Sequence, residues 1–203
     1  MFYSKEPIIL ASGSPRRQQY LKDLGINFTA YPVIIDETPV KGESADLFVE
    51  RMAREKAEVV SNQFCSSWVV AGDTAVCLGR KILGKPVDDE EAVSMLMSLS
   101  GREHTVRTGI FLCHAEKKLA DHRSVETKVT FADFDESTAR GYVGTGESLD
   151  KAGAYGIQGR GAFLVKAIEG SYSNVVGLPL HELVEMLRYY RVIESRHVCR
   201  GLE

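Results

Sequence analysis

The run Ser12-Gly13-Ser14-Pro15-Arg16-Arg17 gathers hydroxyls, a flexible glycine and two guanidinium groups directly after the short apolar stretch Ile8-Ile9-Leu10-Ala11. A loop between a buried strand and a helix N-terminus presents free backbone N–H groups and the positive end of the helix dipole. Arginine adds a planar fork that grips phosphate oxygens in pairs. Such a loop suits the phosphate of a nucleotide or of a sugar nucleotide. The plainer alternative is a capped surface helix with two solvated arginines.

Asp73-Thr74 follows a second apolar run, Trp68-Val69-Val70-Ala71, and Asp36-Glu37 closes the stretch Asn27 to Ile35. Functional groups of open α/β sheets collect just beyond strand ends. Asp73 in that place is a general base, a metal ligand or a turn residue bonded to its own backbone. Lys56, Lys85 and Lys151 supply further positive charge. Each alone reads as a solvated lysine, but Lys56 falls on an apolar helix stripe and needs an anion or a cleft there. Strand-end carboxylates beside a cationic, donor-rich loop are the groups a metal-bound polyphosphate requires. The segment Asp150 to Gly159 is rich in small residues that permit close backbone approach, and the amide of Gln158 can donate and accept at a base edge.

Other chemistries find little support. Cys65, Cys77, Cys113 and Cys199 form no CxxC pair, so they read as scattered reduced thiols rather than a zinc site or disulfide framework. The histidines at 104, 114, 122, 181 and 197 share no ligand spacing, and no GxSxG elbow occurs. The 203 residues carry 25 Lys+Arg against 28 Asp+Glu, a net charge of −3. A bulk nucleic-acid binder would be basic. No basic leader precedes an apolar run and no stretch is long enough to span a membrane, so the expected location is the cytoplasm. A homodimer is compatible with the sequence, which does not decide the oligomeric state.

The elements that must hold these groups are a mixture of helices and strands. Ile8–Ala11 predicts a buried strand, and Ser14 with Pro15 predicts a helix N-terminus whose helix stops at Gly25. Asn27 to Ile35 reads as a second strand. Ser44 caps a helix to about Phe64 with Val49, Met52, Ala53 and Val60 on its apolar stripe. Gly79-Arg80 marks a hairpin, and Asp88 with Glu91 a helix start. Segments 104–115 and 123–134 alternate as half-buried antiparallel strands do. A short helix follows Asp135. Phe163-Leu164-Val165 and Asn174-Val175-Val176 read as late strands before a helix that begins at Pro179. Early β–loop–α units with a later antiparallel section predict an α/β fold: a mixed, twisted sheet flanked by helices, with a cleft between two lobes, and residues 1–203 forming one domain.

Taken in order, Leu10-Ala11-Ser12-Gly13-Ser14-Pro15-Arg16-Arg17, Arg54-Glu55-Lys56-Ala57, Gly72-Asp73-Thr74, Lys85-Pro86, Leu99 to His104, Gly146-Glu147 through Gly159, and Asn174 to Leu180 resemble the Maf family of nucleotide pyrophosphatases. The family usually has Glu where Gln19 stands and Leu where Tyr20 stands. The resemblance implies the inosine triphosphate pyrophosphatase-like fold. It also implies hydrolysis of a nucleoside triphosphate between the α- and β-phosphates, with a divalent cation, Mg²⁺ or Mn²⁺, and Asp73 as proton acceptor. Arg16, Thr74 and Gln158 match the family branch that prefers dTTP and UTP. The substrate-binding set expected on this basis is Ser12, Arg16, Arg17, Lys56, Thr74, Lys85 and Gln158, with Glu37 and Asp73 as metal ligands. Two rival readings are a nucleotidyltransferase, which would usually carry a Pro-Lys pair shortly after the loop, and a non-catalytic nucleotide-binding regulator of cell division.

Overall fold

The computed structural model describes residues 1–196; Cys199 and His197 lie outside them. Strand β1 (Phe2–Ser4) precedes β2 (Ile8–Leu10), which leads into helix α1 (Pro15–Asp23) and the two-residue strand β3 (Thr29–Ala30). Helix α2 (Ala45–Ser61) crosses to the long strand β4 (Trp68–Leu78), and β5 (Lys81–Leu83) folds back on it. Helix α3 (Asp89–Leu99), strands β6 (Glu103–His114) and β7 (Leu119–Phe131), and helix α4 (Glu136–Val143) follow. The described residues close with β8 (Val165–Glu169), α5 (Tyr172–Val176), α6 (Leu180–Tyr189) and β9 (Ile193–Ser195). Among the described residues one mixed sheet has the order β3-β2-β4-β6-β7-β8, with β5 also on β4. Strands β3, β2 and β4 run parallel, and the remaining pairs are antiparallel. A separate ribbon joins β1 to β9.

The predicted helix starts hold. Ser14 Oγ accepts from Arg17 N–H, Ser44 Oγ from Leu47 N–H, Asp88 Oδ1 from Glu91 N–H and Asp135 Oδ1 from Thr138 N–H, each satisfying an orphan donor of the first turn. The α2 stripe of Val49, Met52, Ala53 and Val60 is fully buried against β4 and β6. The approach is close: a Cβ on Gly109 would lie 2.6 Å from the Val49 carbonyl oxygen. Any larger residue there would push α2 off the sheet. Tyr20 packs against the α1–α6 core, where burial pushes its phenol up to about 12, and Gln19 bonds Asp23 at the surface.

Three of the predicted strands need correction. Asn27 to Ile35 pairs only at Thr29–Ala30. Tyr31, Val33 and Ile35 still turn inward onto the α2 side of the core, but β2 ends at Leu10, whose carbonyl accepts the Tyr31 N–H at 2.9 Å, and the residues beyond Tyr31 have no β2 edge left to pair with. Phe163-Leu164 closes a 3-10 turn, Gly159–Leu164, and the strand begins only at Val165. Asn174-Val175-Val176 is helical: Ser171 caps it, and Gly177 at φ +118° terminates it in the left-handed region, where glycine alone is unstrained.

The main apolar cores divide along the sheet. One joins Leu10, Leu21, Trp68, Val70, Leu112 and Leu183. The other joins Val76, Leu83, Leu96, Val106, Phe131 and Leu164. Strand β4 passes through both, and its polar pair Asp73-Thr74 sits between them.

Candidate active site

Asp73 and Thr74 therefore lie in mid-strand, not beyond a strand end as the apolar run Trp68–Ala71 predicts. One edge of β4 is paired to β6 throughout, from Val69 to Cys77. The other edge pairs with β2 at Trp68–Val70 and with β5 at Val76–Leu78. Between these partners the edge is open. The phosphate-loop candidate Ser12–Arg17 leaves the end of β2 on one side of the gap, and β5 with Gly84-Lys85 bounds the other. A cavity of about 850 Å³ occupies this place. Ser12, Arg16, Arg17, Glu37, Lys56, Asp73, Thr74, Lys85 and Gln158 all line it. It also takes in Glu147, Asp150, Lys151 and Tyr155. Glu147 was not among the expected site residues, because a lone acid in a Gly-rich loop has no local signature.

Strand alternation assigns the two central residues to opposite faces. Asp73 shares its face with Val69, Ala71, Ala75 and Cys77, the face α2 covers. It meets Lys56 there, whose Nζ donates to Asp73 Oδ1 at 2.6 Å and to Glu37 Oε1 at 2.5 Å. The Lys56 and Asp73 side chains are 9% and 12% exposed, whereas Glu37 stands at the mouth with 40%. Lys85 reaches Glu37 Oε2 at 3.1 Å. Burial pushes the Glu37 carboxyl up, but Lys56 and then Lys85 outweigh it and hold the group below the usual range. So the cation on the apolar stripe has anionic partners, as its position demands.

Thr74 faces the other way, toward Arg17. That guanidinium donates from Nε to the Gly177 carbonyl at 2.6 Å, from Nη1 to Ser12 Oγ at 3.3 Å and from Nη2 to Thr74 Oγ1 at 3.1 Å. Three of its five N–H groups are thus engaged within the protein, and two are unbonded among the described residues. Thr74 Oγ1 also meets Thr108 Oγ1 at 2.9 Å, and Thr108 donates to the Asn174 carbonyl. Burial lowers the Arg17 pKa while the nearby Asp73 charge opposes the shift. Arg16 is freer: its Nη1 lies 3.7 Å from Asp150 Oδ2, with the Arg16 side chain half-buried and that of Asp150 exposed. Gln158 is exposed on the opposite wall, and Glu147 Oε2 accepts from the Arg160 N–H beside it.

Asp36, weighed with Glu37 as a strand-end acid, instead takes a hydrogen bond from Thr38 N–H at 2.9 Å, a turn role. His104 is buried among Phe131 and Tyr155, bonded to the Tyr155 hydroxyl at 2.8 Å, and burial pulls its pKa to about 4. The three cysteines among the described residues are free thiols.

No group of three or more His, Cys, Asp or Glu side chains converges among the described residues. Glu37 and Asp73 offer two carboxylates, with Asp73 Oδ2 unbonded among those residues. This donor set fits a hard divalent cation that keeps waters and takes substrate phosphate oxygens, as Mg²⁺ does, rather than a closed protein cage.

Fold and site together define an α/β protein whose sheet opens into a cationic, carboxylate-bearing cleft. A fold of this class is shared with the Staphylococcus aureus Ham1 protein, with a TM-score of 0.56 at 13% identity over 92% of this chain and 98% of that one. The Maf-like protein family model matches residues 7–190, and the chain belongs to that family. Among its relatives are proteins named dTTP/UTP pyrophosphatase. That of Desulfotalea psychrophila is 54% identical over 95% of this chain and 99% of its own. That of Myxococcus xanthus is 52% identical over 89% and 90%, and that of Alcanivorax borkumensis 48% over 90% and 94%. No helix among the described residues is long and apolar enough to cross a membrane.

Proposed function

We propose that this chain, as a single catalytic domain of the cytoplasm, hydrolyses dTTP and UTP to the monophosphate and pyrophosphate. The observation that carries the reading is the open edge of β4, where a phosphate-type loop, five basic side chains and four carboxylates, Glu37 and Asp73 among them, line one cavity. The relatives' names supply the substrates.

A triphosphate entering this cleft meets Arg16, Arg17, Lys56, Lys85 and Lys151. At about 4 Å and an effective dielectric near 20, each close unit charge is worth roughly 4 kcal/mol before desolvation costs, so the cations dominate binding. Ser12 and the backbone donors at the start of α1 take phosphate oxygens. Asp73 is the proton acceptor: Lys56 holds Oδ1 and leaves Oδ2 to orient and deprotonate the attacking water. Glu37 and Asp73 would hold Mg²⁺ or Mn²⁺, which would neutralise phosphate charge and improve the leaving group. The Gln158 amide accepts from a pyrimidine N3–H and donates to a neighbouring carbonyl, and Thr74 borders the same space.

The test is pyrophosphate release from a panel of triphosphates at equal concentration with Mg²⁺ or Mn²⁺. Preference for dTTP and UTP, weakened by Gln158→Glu, is the expected result. Comparable kcat/KM for GTP and UTP, or an unaltered preference in the variant, removes Gln158 from specificity. Pyrophosphate released only when a sugar phosphate is added would favour a nucleotidyltransferase.

A further inference from the structure

Glu37 sits on residues 31–44, a stretch without regular secondary structure that leaves the sheet after β3 and rejoins the fold at α2. Ile34 and Val40 project into solvent, 99% and 59% exposed, so burial alone does not hold the outer part of this segment. Its strongest anchor is ionic. Arg51, five residues before Lys56 on α2, donates from Nε to Glu43 Oε1 at 2.7 Å and from Nη2 to Glu43 Oε2 at 2.8 Å. The same Nη2 reaches the Thr38 carbonyl at 3.1 Å, the residue after Glu37. Glu43 Oε2 also accepts from Val40 N–H at 3.0 Å. The pair is sheltered, with side chains 21% and 9% exposed, and the guanidinium lies 5.7 Å from the centre of the Phe48 ring. Paired donation of this kind fixes orientation as well as distance.

We propose that Arg51, clamped by Glu43, is a positioning residue for Glu37: it ties the backbone beside Glu37 to α2 and so holds that carboxylate against Lys56 and across from Asp73. It touches neither substrate nor metal, and its work is to keep two carboxylates on different elements at one spacing. The inference rests on the reading of Glu37 and Asp73 as cation ligands. Hydrogen bonds that orient ligating carboxylates commonly govern metal affinity by 10–100-fold.

The probe is Mn²⁺ alone, titrated by calorimetry onto the full chain, with the Mn²⁺ dependence of dTTP hydrolysis measured in parallel. Arg51→Met should weaken Mn²⁺ binding by about tenfold or more and raise the Mn²⁺ concentration for half-maximal rate. It should also speed amide exchange in residues 32–44. Glu43→Gln should do the same, less severely, and serves if Arg51→Met does not fold. Arg51→Lys should restore part of the affinity, since one donor of the clamp returns. In a Glu37→Gln background, Arg51→Met should add nothing further. Unchanged Mn²⁺ affinity in both Arg51→Met and Glu43→Gln, while Glu37→Gln loses it, overturns the proposal and leaves the site reading intact. If Glu37→Gln itself binds Mn²⁺ normally, the ligand reading fails, and with it the positioning role.

Discussion

Replacing Lys56 with methionine separates stability from catalysis at the centre of this site. The substitution keeps an unbranched chain, one atom shorter, in its place on the α2 stripe but removes the ammonium between Asp73 and Glu37. Breaking a buried ion pair from one side typically costs 3–5 kcal/mol, because the remaining charge stays buried without a partner. Asp73, 12% exposed, carries most of that cost; Glu37, 40% exposed and still bonded to Lys85, is hydrated and adds little. The expected loss is therefore at the lower end, about 3 kcal/mol at pH 7, or roughly 6–12 °C in Tm for a chain of this size. Two facing carboxylates without the ammonium should also become a better cation site. Millimolar Mg²⁺ should accordingly stabilise the variant by more than it stabilises the wild type, restoring part of the loss. Chemical denaturation at pH 7, with and without Mg²⁺, measures both effects. A variant as stable as wild type, or one indifferent to Mg²⁺, would refute the claim that Lys56 neutralises this pair.

Asp73→Asn should lower kcat by about 10²–10⁴-fold, the range for a lost general base, while equilibrium binding of dTTP stays near wild type; near-normal turnover would move the base elsewhere. His104, whose pKa falls from 6.5 to about 4 on burial, binds a proton more readily in the unfolded chain. Its contribution to stability is present above pH 6.5 and is lost as pH falls toward 4, by about 3 kcal/mol at most; denaturation from pH 7.5 to 4.5 should show that slope in wild type and not in His104→Gln. Arg17→Lys should cost about 3 kcal/mol, two charge-assisted bonds at ~1.5 each. Arg16→Lys should stay within about 0.5 kcal/mol of wild type yet raise KM, and equal melting of the two variants would contradict their assigned roles.

The helix starts were legible because capping is local: a Ser or Asp side chain meets an N–H three residues on, and both partners appear in one glance at the chain. The long β6–β7 pair was legible for a similar reason, since alternation survives wherever one face is buried. Residues 31–35 show where this fails. Tyr31, Val33 and Ile35 do point inward, so the alternation is real, but a strand also needs an edge to pair with, and β2 has ended by Leu10. Asn174-Val175-Val176 fails in the opposite sense: two β-branched residues suggest a strand, yet the segment is one turn of helix between Ser171 and Gly177, and Asn174 is there for its amide, which bonds the Val106 carbonyl and Thr127 Oγ1 from a fully buried position.

The site was more legible than its geometry. Residue type alone could nominate Asp73, because an acid following four apolar residues of a strand must either leave the sheet or find a partner inside it. Only the fold shows that it does the second, by way of a lysine on the helix that covers its face. The same holds for the two adjacent arginines. Sequence gives them equal claims on a phosphate; the fold ties Arg17 to Ser12, Thr74 and Gly177 and leaves Arg16 facing Asp150 across 3.7 Å. Arg17 is thus held by three bonds to the walls of the cleft, whereas Arg16 is tied only to Asp150. Two like residues meet different surroundings because successive positions on a helix point about 100° apart, and here that angle separates the junction of β4 with the end of α5 from the contact with Asp150.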